Sequence, residues 1–225
     1  MKNITKLPKE SNREFALRVI RENIINLELK PGSMISEQDI ADELGLSRTP
    51  VHEALQELAQ TKIIEILPQR GSRISLIDMN LVEEAVFIRS TLEAAIIELA
   101  CKSATEEDIQ QLEENINLQE FYLAKDNLEK IMELDNAFHK YIYTMTNKMQ
   151  CYSMIKLMNI HHDRVRELHL HTSNTSTVIE EHKKILEHFK NHDSTGVKEL
   201  IEMHLKHLYL DEKEIRKKYE EYFCK

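Results

Sequence analysis

Chain-breaking residues are scarce. Four glycines and four prolines occur in 225 residues, and Gly32, Gly45, Gly71, Pro8, Pro31, Pro50 and Pro68 all precede residue 72, leaving only Gly196 beyond it. Turn punctuation is therefore confined to the first third, and the rest reads as nearly unbroken helix. Cysteine is equally sparse: Cys101, Cys151 and Cys224 lie far apart with no CxxC pair. That spacing fits reduced thiols better than a disulfide framework. No run of about 18 uncharged apolar residues occurs, and MKNITKLPKESNREF lacks an apolar signal core. Neither a membrane span nor secretion is expected, so the expected location is the cytoplasm. There is also no excess of positive charge. The first 75 residues hold 11 basic and 11 acidic side chains, and the remaining 19 basic and 28 acidic residues carry the entire formal charge of −9. Two domains are expected, residues 1–77 and 78–225.

What is present in the first third is a succession of short elements. Arg13 to Leu27 places Phe15, Leu17, Val19, Ile20, Ile24 and Leu27 largely on one face, and Lys30-Pro31-Gly32 ends that helix. Ser36 suits an N-cap, with Glu37 and Asp39 in the first turn and Ile40, Leu44 and Leu46 pointing inward, until Gly45 stops the helix. Ser47 is expected to cap the next helix, Pro50 is tolerated in its first turn, and Val51, Ala54, Leu55 and Leu58 form its buried stripe. Ile63 to Leu67 and Ser72 to Leu76 are β-prone runs around Pro68-Gln69-Arg70-Gly71. The order is helix, helix, turn, helix, hairpin.

In a helix-turn-helix the second helix enters the major groove N-terminus first, so its opening residues face phosphates and bases. Ser47 and Thr49 can donate to phosphate, Arg48 can reach guanine or the backbone, and the helix's positive end favours an anion. Arg70, Gly71 and Arg73 would form a wing beside it. The stretch LKPGSMISEQDIADELGLSRTPVHEALQELAQTKIIEILPQRGSRIS resembles the winged-helix DNA-binding domain of the GntR family of bacterial transcription regulators. The resemblance implies that Arg48, Thr49 and Pro50 open the recognition helix and that Arg70 and Gly71 form the wing tip. The family usually has arginine where this chain has His52, which weakens a phosphate or base contact and makes its charge depend on pH. Gln38 stands where some relatives place another DNA-contacting arginine.

The second part reads as six helices: Val82 to Ala104, Glu106 to Leu123, Asn127 to Thr146, Met149 to Leu168, Thr175 to Asn191 and about Ser194 to Tyr222. This suits an antiparallel bundle. The fold class expected is mostly α, a winged helix-turn-helix followed by an all-α bundle. Ten of the eleven histidines lie in this part. Asp135 and His139 are four apart and share a helix face, and His182 and His204 sit beside apolar residues. Three imidazoles and a carboxylate suit divalent Zn, Ni, Mn or Fe, although core histidines that merely satisfy a hydrogen bond give the same pattern.

Residues 80 to 222 are similar to the helical ligand-binding domain called FCD, which follows the winged helix in one GntR subgroup. That resemblance implies a metal set of Asp135, His139, His182 and His204. It also implies that Arg89, in an Arg-x-x-x-Glu with Glu93, forks onto an effector carboxylate; an i,i+4 ion pair is the structural alternative. Arg164 and Arg166 are weaker candidates for lining the pocket, and the remaining histidines are assigned mostly to solvated faces. The function expected is a homodimeric transcription regulator, more often a repressor in this family, that binds a pseudo-palindromic double-stranded operator under the control of a small carboxylate. Two alternatives remain at this point: a metal-dependent hydrolase, and a DNA-binding regulator whose bundle is purely structural.

Overall fold

The computed structural model describes residues 1, 4–170, 176–206 and 212–224. The chain is mostly helical with one small sheet, and it divides into two compact units: Met1–Glu83 with Ile160–Glu167 and Ile215–Lys225, and Glu84–Asn159 with Leu168–Glu214.

In the first unit, α1 (Asn12–Ile25) starts at a capping box in which Ser11 accepts from the Glu14 N–H and Glu14 accepts from that of Ser11. After it, β1 (Met34–Ile35) is a strand that periodicity did not announce; two residues are too few to show an alternation. Ser36 caps α2 (Glu37–Leu44) as expected, accepting from the N–H groups of Gln38 and Asp39, and Gly45 ends it in the left-handed region at φ 64°. The third helix, α3 (Arg48–Gln60), has Ser47 at its N-cap position, but the Ser47 hydroxyl makes no capping hydrogen bond. That corrects the expected cap: the first N–H groups of α3 are not covered by it, and Ser47 is exposed. Val51, Ala54, Leu55 and Leu58 are buried against Ile20, Ile24 and Ile40.

The hairpin consists of β2 (Ile64–Leu67) and β3 (Gly71–Ile74), and the sheet order is β1-β3-β2 with both pairs antiparallel. Ile64 faces Ile74 and Leu67 faces Gly71. Gly71 has φ +93°, and a Cβ there would lie 3.1 Å from the Ile35 carbonyl oxygen, so the wing turns where only glycine fits without strain. Two later segments complete this unit. Ile160 joins its core, and Ile77 exchanges backbone hydrogen bonds with Tyr222 (2.8 Å) and Cys224 (2.9 Å).

The second unit contains α4 from Glu84 onward (Met79–Ser103 in all), α5 (Glu106–Leu123), α6 (Leu128–Met145), α7 (Met149–Met158), α9 (Ser176–Lys190) and α10 (Ser194–His204). Its core gathers Ile97, Ala100, Leu112, Ile116, Phe138, Ile142, Ile185, Phe189, Val197 and Ile201. The single helix expected from Met149 to Leu168 is two, because the chain turns at Asn159 and α8 (Ile160–Leu170) follows. Asparagine is a poor interior helix residue, and the first unit takes over at Ile160. The expected long final helix is likewise broken. After α10, residues 207–211 lie outside the described set, and α11 (Glu212–Lys218) has its own charge polarity, with Glu212 and Glu214 first and Arg216, Lys217 and Lys218 last. The predicted start of α9 at Thr175 also lies outside the described residues. No described helix is long and apolar enough to cross a membrane.

Gly71→Ala is expected to destabilise the protein by about 1–2 kcal/mol by forcing a Cβ into the left-handed region. Denaturant titration checks this, and an unchanged midpoint would mean that the backbone there is free to move.

Candidate DNA-binding face and candidate metal centre

The opening of α3 is polar because the apolar stripe that holds it begins only at Val51. Ser47, Arg48, Thr49 and His52 are exposed, Pro50 is half-buried, and Gln38 on α2 and Arg70 and Gly71 at the hairpin tip are exposed as well. Glu37, at the start of α2, joins the two helices. One carboxylate oxygen accepts from an Arg48 Nη at 3.0 Å and the other from His52 Nδ1 at 2.7 Å. The His52 hydrogen bond, more than that of Arg48, holds the Glu37 carboxyl below the usual carboxylate range. Gln38 donates to Asp42 at 2.7 Å, and Arg73 on the wing donates to Glu65 at 2.6 Å. Sequence reading missed the Glu37 bridge, which depends on how α2 and α3 are packed and has no local signature.

In the second unit, α6 turns Asp135 and His139 inward with Ile131, Phe138 and Ile142, while α9 buries His182 between Ile179 and Ile185, and His204 ends α10. All four residues are buried, and one ligand atom from each lies within 4.8 Å of the others. His139 Nε2 is 3.3 Å from His204 Nε2 and 3.9 Å from Asp135 Oδ1, and His182 Nε2 is 3.6 Å from Asp135 Oδ1. Phe138 stacks on the His182 ring at 4.2 Å.

The opposite nitrogen of every imidazole faces an oxygen. His139 Nδ1 meets Glu93 Oε1, His182 Nδ1 meets Gln119 Oε1 at 2.9 Å, and His204 Nδ1 meets Glu181 Oε2 at 2.8 Å. The Gln119 amide is oriented in turn: its Nε2 donates to Asn115 Oδ1 at 2.7 Å, and Asn115 Nδ2 donates to the Leu134 carbonyl at 3.1 Å. Each Nδ1 can therefore donate, which leaves the Nε2 of each ring on the side of Asp135. Burial, first of all, holds the His139 imidazole below its ordinary range, which keeps its Nε2 lone pair available. The Nε2 atoms of His139 and His204 lie 3.3 Å apart with a carboxylate beside them, close enough to share one cation. The donor set fits a divalent transition metal.

Arg89 is buried. Its Nε donates to Glu93 Oε2 at 3.0 Å, and Tyr143 donates to the same oxygen at 3.4 Å. Burial raises the Glu93 carboxyl, but His139 and Arg89 together hold it well below the usual range, so it stays ionised. Burial followed by Glu93 pushes the Tyr143 hydroxyl far above its ordinary value. The convergence of Asp135, His139, His182 and His204 and the Arg89–Glu93 pair were anticipated; Gln119, Glu181 and the Glu93 contact to His139 were not. Their signal was a polar residue on a buried stripe: Ile109, Leu112, Ile116, Gln119 on α5 and Val86, Arg89, Glu93, Ile97 on α4.

Arg164 does not line this centre. It lies in the first unit, donating to the Ser75 carbonyl at 2.7 Å, and Arg166 donates to Asp163 at 2.9 Å. The solvated faces assigned to His161, His162 and His169 are also corrected, since all three are buried: α8 packs on more than one side, which its sequence, with charges on every face, conceals. His171 and His207 lie outside the described residues.

Residues 84–207 match the model of the FCD domain, and residues 12–74 that of bacterial regulatory proteins of the gntR family. The HTH-type transcriptional repressor RspR of Escherichia coli (strain K12) is 28% identical over 217 residues, 96% of this chain and 95% of that protein. The solved structure of E. coli McbR/YncC has the same fold, with a TM-score of 0.78 at 21% identity over 93% of this chain and 99% of that one. A GntR regulator structure from Rhodococcus sp. RHA1 matches at a TM-score of 0.68 and 19% identity, over 92% and 98%. These likenesses are to transcription regulators and not to enzymes. The chain belongs to the gntR family of bacterial regulatory proteins, as a transcription regulator that carries an N-terminal helix-turn-helix domain and a helical FCD domain.

Proposed function

We propose that this regulator works in the cytoplasm as a homodimeric repressor. Its two winged helices read a pseudo-palindromic operator, and its bundle senses a small carboxylate at a metal centre. The observation that carries the sensing half is the convergence of three Nε2 atoms whose Nδ1 partners are each engaged by a side-chain oxygen. A purely structural bundle has no use for that orientation. Asp135, His139, His182 and His204 would hold a divalent Zn, Ni, Mn or Fe ion, which supplies a Lewis acid with positions left for ligand oxygens. Arg89 is assigned to the effector's carboxylate, with Glu93 holding its Nε and so setting the plane of the fork.

On the DNA side, Ser47, Arg48, Thr49, Pro50 and His52 are assigned to the groove and phosphates, with Gln38 alongside and Arg70 and Gly71 on the flanking groove. Repression is adopted because the relative RspR is named a repressor. One winged helix makes few base contacts, so two are needed for specific affinity.

A thermal-melt screen of sugar acids, hydroxy acids, dicarboxylates and fatty acids, with metal loaded and after chelation, tests the sensor. One acid should raise the midpoint of the metal-loaded protein alone. No shift in either state would remove the effector site and Arg89 with it. Gln119→Leu takes the acceptor from His182 and should weaken metal binding about 10- to 100-fold without unfolding the chain. Competition against a chromogenic chelator reads this, and an unchanged affinity would mean that His182 is not a ligand. Arg48→Ala should lose about 1–3 kcal/mol of operator binding. Equal gel-shift midpoints for variant and parent would take Arg48 off the recognition surface.

A further inference from the structure

The largest of the fully buried side chains among the described residues belongs to Arg164. Among the described residues its guanidinium has no carboxylate partner. Nη1 donates to the Ser75 carbonyl at 2.7 Å, and Nη2 donates to the Leu76 carbonyl at 3.4 Å and to His161 Nδ1 at 2.9 Å. A guanidinium can only donate, so His161 Nδ1 accepts and the imidazole hydrogen sits on Nε2, which donates to the Thr61 carbonyl at 3.2 Å. Thr61 is the C-cap of α3. Ser75 and Leu76 follow directly on β3, and the Ser75 hydroxyl donates to the Ile63 carbonyl at 3.1 Å, just before β2. One turn of α8 thus grips the far end of the recognition helix and the root of the wing together, all within the first unit.

Burying a guanidinium against neutral acceptors costs more than burying an apolar side chain of similar volume. What arginine provides here, and methionine would not, is a planar fork reaching two carbonyls and an imidazole at once. We propose that Arg164 and His161 are positioning residues for DNA recognition, holding α3 and the wing at one spacing, and that this hold lasts only while His161 is neutral. The proposal rests on the reading that α3 and the wing bind DNA.

The charged groups that bear on His161 are Arg164 on its own helix, Asp78 beyond β3 and Lys62 beside Thr61. Burial first, and then Arg164, push its imidazole from 6.5 down to about 4. Burial also lowers Arg164, to about 9, so it remains a cation at neutral pH. The sign follows: the unfolded chain takes up the proton first as pH falls, so the latch is at full strength above 6.5 and is lost between 6.5 and about 4. A proton on Nδ1 would both delete the acceptor of Arg164 and set two cations side by side.

The test uses the full chain and, as probe, a duplex recovered by selection from a randomised library, with a scrambled duplex for comparison. Binding is followed by fluorescence anisotropy from pH 7.5 to 4. Glutamine keeps an acceptor and a donor but does not titrate, so His161→Gln should match the parent at pH 7.5 and bind tighter than it at pH 4. Taking the ratio of the two at each pH cancels the contributions that parent and variant share. Arg164→Met should lose about tenfold or more in discrimination between the two duplexes while bound metal, set by the second unit, stays unchanged; Arg164→Lys should recover part of the loss. A ratio that is flat with pH, or undiminished discrimination in Arg164→Met, overturns the proposal. The flat ratio decides even if Arg164→Met does not fold. Arg48→Ala in the same assay separates the two readings: if it loses affinity while the latch variants behave as the parent, only the latch is wrong, and if it binds as tightly as the parent, the reading of α3 fails first.

Discussion

The fixed imidazole hydrogen organises the interior of the helical unit. A histidine can present a lone pair to a shared point only if its other nitrogen gives its hydrogen away, and three histidines from three helices require three acceptors placed behind them. Glu93 on α4, Gln119 on α5 and Glu181 on α9 are those acceptors. Helices α4, α5, α6, α9 and α10 are therefore bound to one polar centre as well as to one apolar core. The core alone would tolerate small rotations of a helix. The polar centre does not, because each rotation breaks a hydrogen bond inside a region where water cannot replace it.

The carboxylates of the two units illustrate how setting decides what an ion pair does. Glu37 accepts from Arg48 and His52 at the surface, where solvent screens the charges and such pairs contribute about 0–1 kcal/mol. Its consequence is for geometry and local charge, since it stands among the residues assigned to DNA and offsets part of their positive field. Glu93 accepts from Arg89, His139 and Tyr143 in the interior, and its loss would strand buried partners. The same side chain is thus a modulator in one unit and a keystone in the other.

Most of this architecture was legible in the sequence wherever a periodic apolar stripe met a local stop signal. Ser36 and Gly45 bound α2, Gly71 marks the wing, and the Asp135–His139 spacing placed two metal-ligand candidates on one face, because caps, left-handed turns and i,i+4 faces are determined within a few residues. What was not legible depends on partners distant in the chain. Gln119 meets His182 across 63 positions and Arg164 meets Ser75 across 89, and neither separation leaves a local trace. Helix interruptions were missed for a related reason. Asn159 and the stretch after His204 carry no glycine or proline, so no local breaker announces either interruption; at Asn159 the chain passes to the other compact unit. The Ser47 cap failed differently: a serine at an N-cap position is free to leave its hydroxyl uncommitted.

Arg89 and Arg164 put the same cation in two kinds of interior. Arg89 is matched by Glu93, four residues along its own helix, so its charge is compensated locally and a second anion must compete with an ionised carboxylate already in place. Glu93 also accepts from His139, so whatever draws on Arg89 alters the acceptor behind a candidate metal ligand. If the proposed effector and metal bind there, each would be felt at the other site, and thermodynamic reciprocity would make the effect equal in both directions. Among the described residues Arg164 meets no carboxylate, and its acceptors are two backbone carbonyls and an imidazole nitrogen. Among the described hydrogen bonds its charge is met by dipoles, and dipoles hold a cation only in one orientation. Displacing Thr61, Ser75 or Leu76 therefore weakens the whole cluster, which makes this corner of the DNA-binding unit stiff against small shifts.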